Sequence, residues 1–191
     1  MFFLRKPRVS TEPLALTMSG VRMGERLLEI GADDPPLLAA LALKVGMSGT
    51  AVVAVDNPQA AALATDAAAR AGALIELRVG PYESLGSDAA MFDVVVLHGT
   101  GGLLPSLQAD GRADAVLRAA RLALRHGGRI VVIEAGPRNR LGGLLPPLRP
   151  NTGHDSADAT LAALASAGFS PVRLLSERDG YRFVEGLKTN G

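Results

Sequence analysis

The order of apolar runs predicts an α/β domain with a doubly wound, mostly parallel sheet and a C-terminal antiparallel β-hairpin. Three observations carry this. Short β-rich runs alternate with longer helical runs, which argues for parallel strands joined by right-handed crossovers. TAVVAV at 50–55 and FDVVVL at 92–97 are apolar without alternation, as in strands buried on both faces. The chain then closes with two β-rich runs around Asp179-Gly180, a hairpin turn signal.

Taken in order, Arg26 to Ile30 reads as the first strand, ending at Gly31. A helix is expected over 35–45, capped by Asp33 or Asp34, with proline suited to its first turn. The second strand covers 50–55. An Ala-rich helix follows over 57–71, opened by Asn57-Pro58 and closed by Gly72. Strands are expected at 73–79 and 92–97, and a helix at 114–125 that stops at His126-Gly127-Gly128. A fifth strand covers 129–134. Residues 136–153, rich in Gly, Pro and Arg, read as a loop or lid. A last helix spans 156–167, before hairpin strands at 171–177 and 181–185. No repeat or linker interrupts the pattern, so 1–191 reads as one domain, with 1–20 as an N-terminal segment.

Composition narrows the classes of function. Of 191 residues, 48% are hydrophobic and 20% charged, a globular balance; only 4% are aromatic, so the core is aliphatic. The net charge of +1, with no basic block, gives no field to attract nucleic acid, and none is expected as a partner. The absence of cysteine removes disulfides, thiolate catalysis and Cys-type metal sites. His98, His126 and His154 are too scattered to suggest a metal site. The Phe2-Phe3 start lacks the order of a signal peptide, and no run reaches the roughly 20 apolar residues of a membrane span. A cytoplasmic protein is therefore expected.

In doubly wound sheets, ligands bind outside the carboxyl ends of the strands, where strand order reverses. The first strand's exit reads Glu29-Ile30-Gly31-Ala32-Asp33-Asp34-Pro35, and Gly31 lets the backbone approach a ligand closely. The second strand ends in Asp56, 25 positions after Gly31, where a carboxylate can accept hydrogen bonds from both hydroxyls of an adenosine ribose. Alternatives stay open at each position. Gly31 also suits a tight turn, Asp56 could cap the following helix, and Asp93 reads more readily as the start of a strand than as a site residue.

These residues resemble class I S-adenosylmethionine-dependent methyltransferases. Glu29-Ile30-Gly31 is similar to the family's first motif, and Val53-Ala54-Val55-Asp56 to its second. Phe92-Asp93-Val94-Val95-Val96 resembles the fourth strand, Leu124 to Ile130 the approach to the fifth, and the hairpin its closing strands. The resemblance covers about residues 20–187. It implies a Rossmann-like fold, S-adenosylmethionine as cofactor and a small-molecule methyl acceptor. The implied cofactor contacts are Glu29, Gly31, Ala32 and Asp33 at the first exit, Asp56 and Asn57 at the second, and Tyr82 and Glu83 after the third strand. His98, at the fourth strand's end, is the candidate to position a substrate or take its proton; the alternative is a polar residue in a flexible loop.

The departures are specific. Of three alternate glycines usual in the first motif, only Gly31 remains; Asp33 and Pro35 stand at the others. Pro81 occupies the position where an acidic residue is expected to hold the adenine amine. Asp33 could turn outward to cap the helix at Pro35, or turn into the cleft and occupy that helix's free N–H groups. The first arrangement suits an enzyme. The second suits a non-catalytic binding or assembly module that has lost the cofactor. A nucleotide-dependent oxidoreductase is a third reading, weakened by the missing Gly-rich fingerprint. The apolar run at 141–148 suggests an apolar or aromatic acceptor, or a homodimer contact.

Overall fold

The structure, a computed structural model, describes residues 12–136 and 157–189. Strands β1 (Arg26–Ile30), β2 (Thr50–Val55), β3 (Glu76–Val79), β4 (Phe92–Gly99), β5 (Leu124–Ala135), β6 (Val172–Arg178) and β7 (Tyr181–Leu187) form one sheet. Its order is β3-β2-β1-β4-β5-β7-β6. The first five strands pair in parallel; β7 is antiparallel to β5, and β6 to β7. This is the expected sheet with its terminal hairpin. Strand order reverses between β1 and β4, so the switch point lies where the first strand's exit was expected to bind a ligand.

The helices are α1 (Glu12–Met18), α2 (Pro35–Val45), α3 (Pro58–Ala71), α4 (Leu103–Ala109), α5 (Ala113–Ala123) and α6 (Ala157–Ser166), with a 3-10 helix at Tyr82–Asp88. Successive strand residues point to opposite faces, and both faces are covered. Leu27, Val94 and Val96 join the core under α1 and α2, whereas Leu28, Val95 and Leu97 join the core under α4 and α5. That double burial explains why 50–55 and 92–97 carry no polar alternation. No helix among the described residues is long and apolar enough to cross a membrane.

Several boundaries differ from expectation. Residues 12–18 of the expected tail form α1, tied to α2 by a hydrogen bond from Lys44 Nζ to the Leu16 carbonyl at 2.7 Å. The third strand starts at Glu76 instead of 73, because Ala73 still donates its N–H to the Ala68 carbonyl, closing α3. The fifth begins at Leu124, where the chain is already extended and pairs with Phe92; the ladder shifts register before Arg129 meets Val94. The glycines at 127 and 128 thus sit in an irregularity within β5, not in a loop before it. The expected loop after His98 contains α4. Its Pro105 falls in the first turn, where no intrahelical N–H is lost. The proposed lid at 136–153 lies outside the described residues except for Gly136, as do 1–11.

Asp93 ties the beginnings of three strands together, which favours its structural reading. Its Oδ2 accepts the Arg26 backbone N–H at 2.7 Å, and its Oδ1 accepts from Arg125 Nε. Burial acts to raise its pKa, but the Arg26 N–H and the Arg125 guanidinium outweigh that and hold it below the usual value. A depressed carboxylate adds stability at neutral pH that is lost as pH falls through its folded value. Asp93→Asn should therefore lower the Tm at pH 7, by an amount that shrinks towards pH 3. Thermal melts across that range test this, and an equal loss at both ends would remove the charge from the explanation.

Candidate functional site

A cleft of about 660 Å³ opens at the carboxyl ends of β1, β2 and β4. Its size falls within the roughly 300–1,000 Å³ usual for small-molecule sites. Six of the nine sequence candidates line it: Gly31, Ala32, Asp33, Asp56, Asn57 and Tyr82. Glu29 and His98 are buried in the sheet, and Glu83 faces elsewhere.

The β1 exit is built by close approach. Gly31 has φ +85°, in the left-handed region that side chains rarely adopt. A Cβ on Gly31 would lie 2.8 Å from Leu103 Cδ2 and 3.3 Å from the His98 carbonyl oxygen. The Gly31 N–H continues the ladder to the Ala54 carbonyl at 2.9 Å. Asp34 caps α2, accepting the Leu37 N–H at 3.2 Å. Asp33, which lines the cleft, is neither the cap of α2 nor bonded to that helix's N–H groups. Its Oδ2 accepts the Gly101 N–H at 2.8 Å, from the loop after β4.

At the β2 exit, Asn57 caps α3: its Oδ1 accepts the Ala60 N–H at 2.8 Å, while its Nδ2 donates to Asp56 Oδ1 at 2.8 Å. Asp56 is thus free of the capping role and presents an exposed carboxylate. Tyr82, on the 3-10 helix, is buried, with its hydroxyl beside the Asp56 carboxylate and backbone N–H. Burial, and next the negative Asp56, push the Tyr82 pKa well above its usual range, so the phenol stays a donor. Glu83 is held by Arg112 through two hydrogen bonds of 2.6 and 2.8 Å, which pin the 3-10 helix to the start of α5. That pairing, chiefly its hydrogen bonding, lowers the Glu83 pKa and turns the carboxylate away from the cleft. Sequence offered no sign of a partner 29 residues away.

Beneath Gly31 lies a buried pair. His98 stands within β4, not in a loop beyond it, and its Nε2 is 2.7 Å from Glu29 Oε2 on β1. The side chains are 1% and 0% exposed. Glu29 Oε1 and His98 Nδ1 have no hydrogen-bond partner among the described residues. Burial pushes the Glu29 pKa up, and His98 only partly offsets this. A raised carboxylate penalises the fold as pH rises through its folded value, because the charged form is the disfavoured one. Glu29→Gln keeps a neutral hydrogen-bonding group there. It should be destabilised less than Glu29→Ala, and should lose less stability than wild type between pH 5 and pH 8. Chemical denaturation at the two pH values tests this; a parallel loss in wild type and Glu29→Gln would remove Glu29 as the titrating group.

The cleft residues outside the sequence candidates include Gln59, Ala60 and Leu63 on α3, and Gly101, Gly102, Leu103 and Ser106 at the β4 exit and α4. The run of glycines at 99–102 was the available signal, but it resembled a phosphate loop lacking its lysine.

No family model matches the chain. It is 30% identical over 139 residues to uncharacterized proteins of Mycobacterium tuberculosis and Mycobacterium bovis, matching over 72% of its own length. It spans about half (47%) of the length of these curated relatives. Among solved structures, it is similar to a SAM-dependent methyltransferase from Aquifex aeolicus, with a TM-score of 0.72 and 15% identity, covering 93% of this chain and 89% of that one. A SAM-dependent O-methyltransferase from Thermotoga maritima gives 0.68 and 17%, over 94% and 65% of the two chains. A 4+2 cyclase gives 0.65 and 19%, over 94% and 80%. The chain has the class I S-adenosylmethionine-dependent methyltransferase fold.

Proposed function

We propose that the cleft binds S-adenosylmethionine and that the domain transfers its methyl group to a small-molecule acceptor. The observation that carries this is the charge of the cleft. Among the described residues, its lining includes Asp33 and Asp56 and no lysine or arginine. A phosphate-bearing nucleotide would meet the Asp33 and Asp56 carboxylates in that lining, and like charges repel. An adenosyl sulfonium instead brings a neutral nucleoside with an ammonium, a sulfonium and one carboxylate, a net positive charge that acidic side chains attract. Asp56, oriented by Asn57 and Tyr82, would receive the ribose hydroxyls. Glu29, Ala32 and Gly31 would form the floor beneath the methionine part. An orphaned Glu29 oxygen supports this, since buried polar atoms are normally paired.

Methyl transfer is an in-line displacement at an already activated sulfonium, so holding the nucleophile and methyl aligned can supply much of the rate. A dedicated base is optional. His98, enclosed and bonded to Glu29, is accordingly assigned to positioning the β4 exit and not to taking a proton from the acceptor. A second hollow of about 260 Å³ adjoins the cleft across Gly101 and Gly102, with Glu134 and Arg182 in its wall. Those charged side chains favour a polar acceptor over the apolar one suggested by the segment at 141–148.

A second reading is favoured by one contact. Leu103 packs on Gly31 where a methionine tail would pass, as expected of a non-catalytic module. That the fold is shared with a cyclase underlines that fold alone does not decide activity. Calorimetric titration with S-adenosylmethionine and S-adenosylhomocysteine separates the readings. Binding is expected, and Asp56→Ala should weaken it by about 1–3 kcal/mol, the scale of lost hydrogen bonds to a charged group. Absence of binding in a folded protein would leave the non-catalytic reading standing, and unchanged affinity in Asp56→Ala would remove Asp56 from the site.

A further inference from the structure

The cleft crosses the ends of adjacent strands in a fixed order. Tyr82 follows β3, Asp56 and Asn57 follow β2, Gly31 to Asp33 follow β1, and Gly101 to Leu103 follow β4. A ligand held at Asp56 that extends towards α4 must pass the β1 exit. Asp33 stands there, and its carboxylate reaches across to the Gly101 N–H at 2.8 Å. The loops are in close contact: a Cβ at Gly101 would lie 2.7 Å from Asp33 Cγ and 2.8 Å from its Oδ2. Leu103, two residues on, closes the same passage over Gly31.

We infer that Asp33 is a specificity-determining residue, which bridges the β1 and β4 exits and divides the cleft into an open nucleoside side and a tied side. A compact nucleoside occupies the Asp56 side with the bridge intact. A nucleoside carrying an amino-acid tail at its 5′ end has to break the Asp33–Gly101 hydrogen bond and lift Leu103. The bridge therefore sets a penalty on long ligands that short ones do not meet. Asp33 is exposed, so the penalty is that of one hydrogen bond in contact with water and not of a buried ion pair. The inference rests on the adenosyl reading of the cleft.

The test compares two uncharged thioethers, so that sulfonium charge does not enter: 5′-methylthioadenosine, which is compact, and S-adenosylhomocysteine, which carries the tail. Their Kd values are measured on wild type, Asp33→Ala, Gly101→Ala and Asp33→Asn, with thermal melts to confirm folding. Asp33→Ala removes the acceptor, and Gly101→Ala places a Cβ where the Asp33 carboxylate now sits and displaces it from the opposite side. Both should shift the ratio of the two affinities towards S-adenosylhomocysteine by about three- to tenfold, the equivalent of one hydrogen bond. Asp33→Asn retains an acceptor oxygen and should stay near wild type. An unchanged ratio in both alanine variants, with both ligands binding, overturns the bridge and leaves the cofactor reading intact. Failure of both ligands to bind any of the folded proteins overturns the cofactor reading, and the bridge with it.

Discussion

How closely the exit of β1 can approach the exit of β4 governs the cleft. At Gly31 the chain adopts a positive φ and lies against the His98 carbonyl and Leu103. Any side chain there would be strained in the backbone and would also push the two exits apart. Below this contact, Glu29 and His98 hydrogen-bond between the same two strands. Above it, Asp33 reaches Gly101. Three contacts are thus stacked along one seam, from the sheet's interior to its surface. Each sets the spacing that the next one needs.

The opposite wall is fixed by a different logic. Asp56 is exposed, yet two neutral donors orient it before any ligand arrives. Asn57 reaches it while capping α3, and Tyr82 reaches it from a 3-10 helix that Glu83 and Arg112 anchor. A carboxylate held in place loses less freedom on binding than a mobile one. Tyr82 is kept as a donor because burial and the carboxylate both disfavour its ionisation. The Glu83–Arg112 pair is partly exposed, and such pairs add little stability by themselves. Its consequence lies in where it holds Tyr82.

The two walls differ in what they ask of a ligand. The Asp56 side is open and preorganised. The Gly31 side is tied shut by the protein's own groups: Asp34 occupies a donor at the α2 N-terminus, and Asp33 occupies one beyond β4. Where Rossmann-like sites usually offer free N–H groups to an anion, this chain supplies its own anions.

Much of this was legible in the amino-acid sequence because it depends on local patterning. The doubly buried runs at 50–55 and 92–97, the helices between strands and the Asp179-Gly180 turn report on near neighbours and on burial, so they predict the sheet and its hairpin. The places of Gly31 and Asp56 at the cleft were legible for the same reason: a strand's end is a local event. The tertiary structure alone decided the partners. Asp33 meets Gly101 across 68 positions and Glu29 meets His98 across 69. Asp34 and not Asp33 caps α2, and Glu83 turns to Arg112. None of these pairings has a periodicity or a motif, because each forms only when parallel strands bring distant exits side by side. The sequence by itself determined which strands and exits exist; the order in which the sheet places them decided what each exit touches.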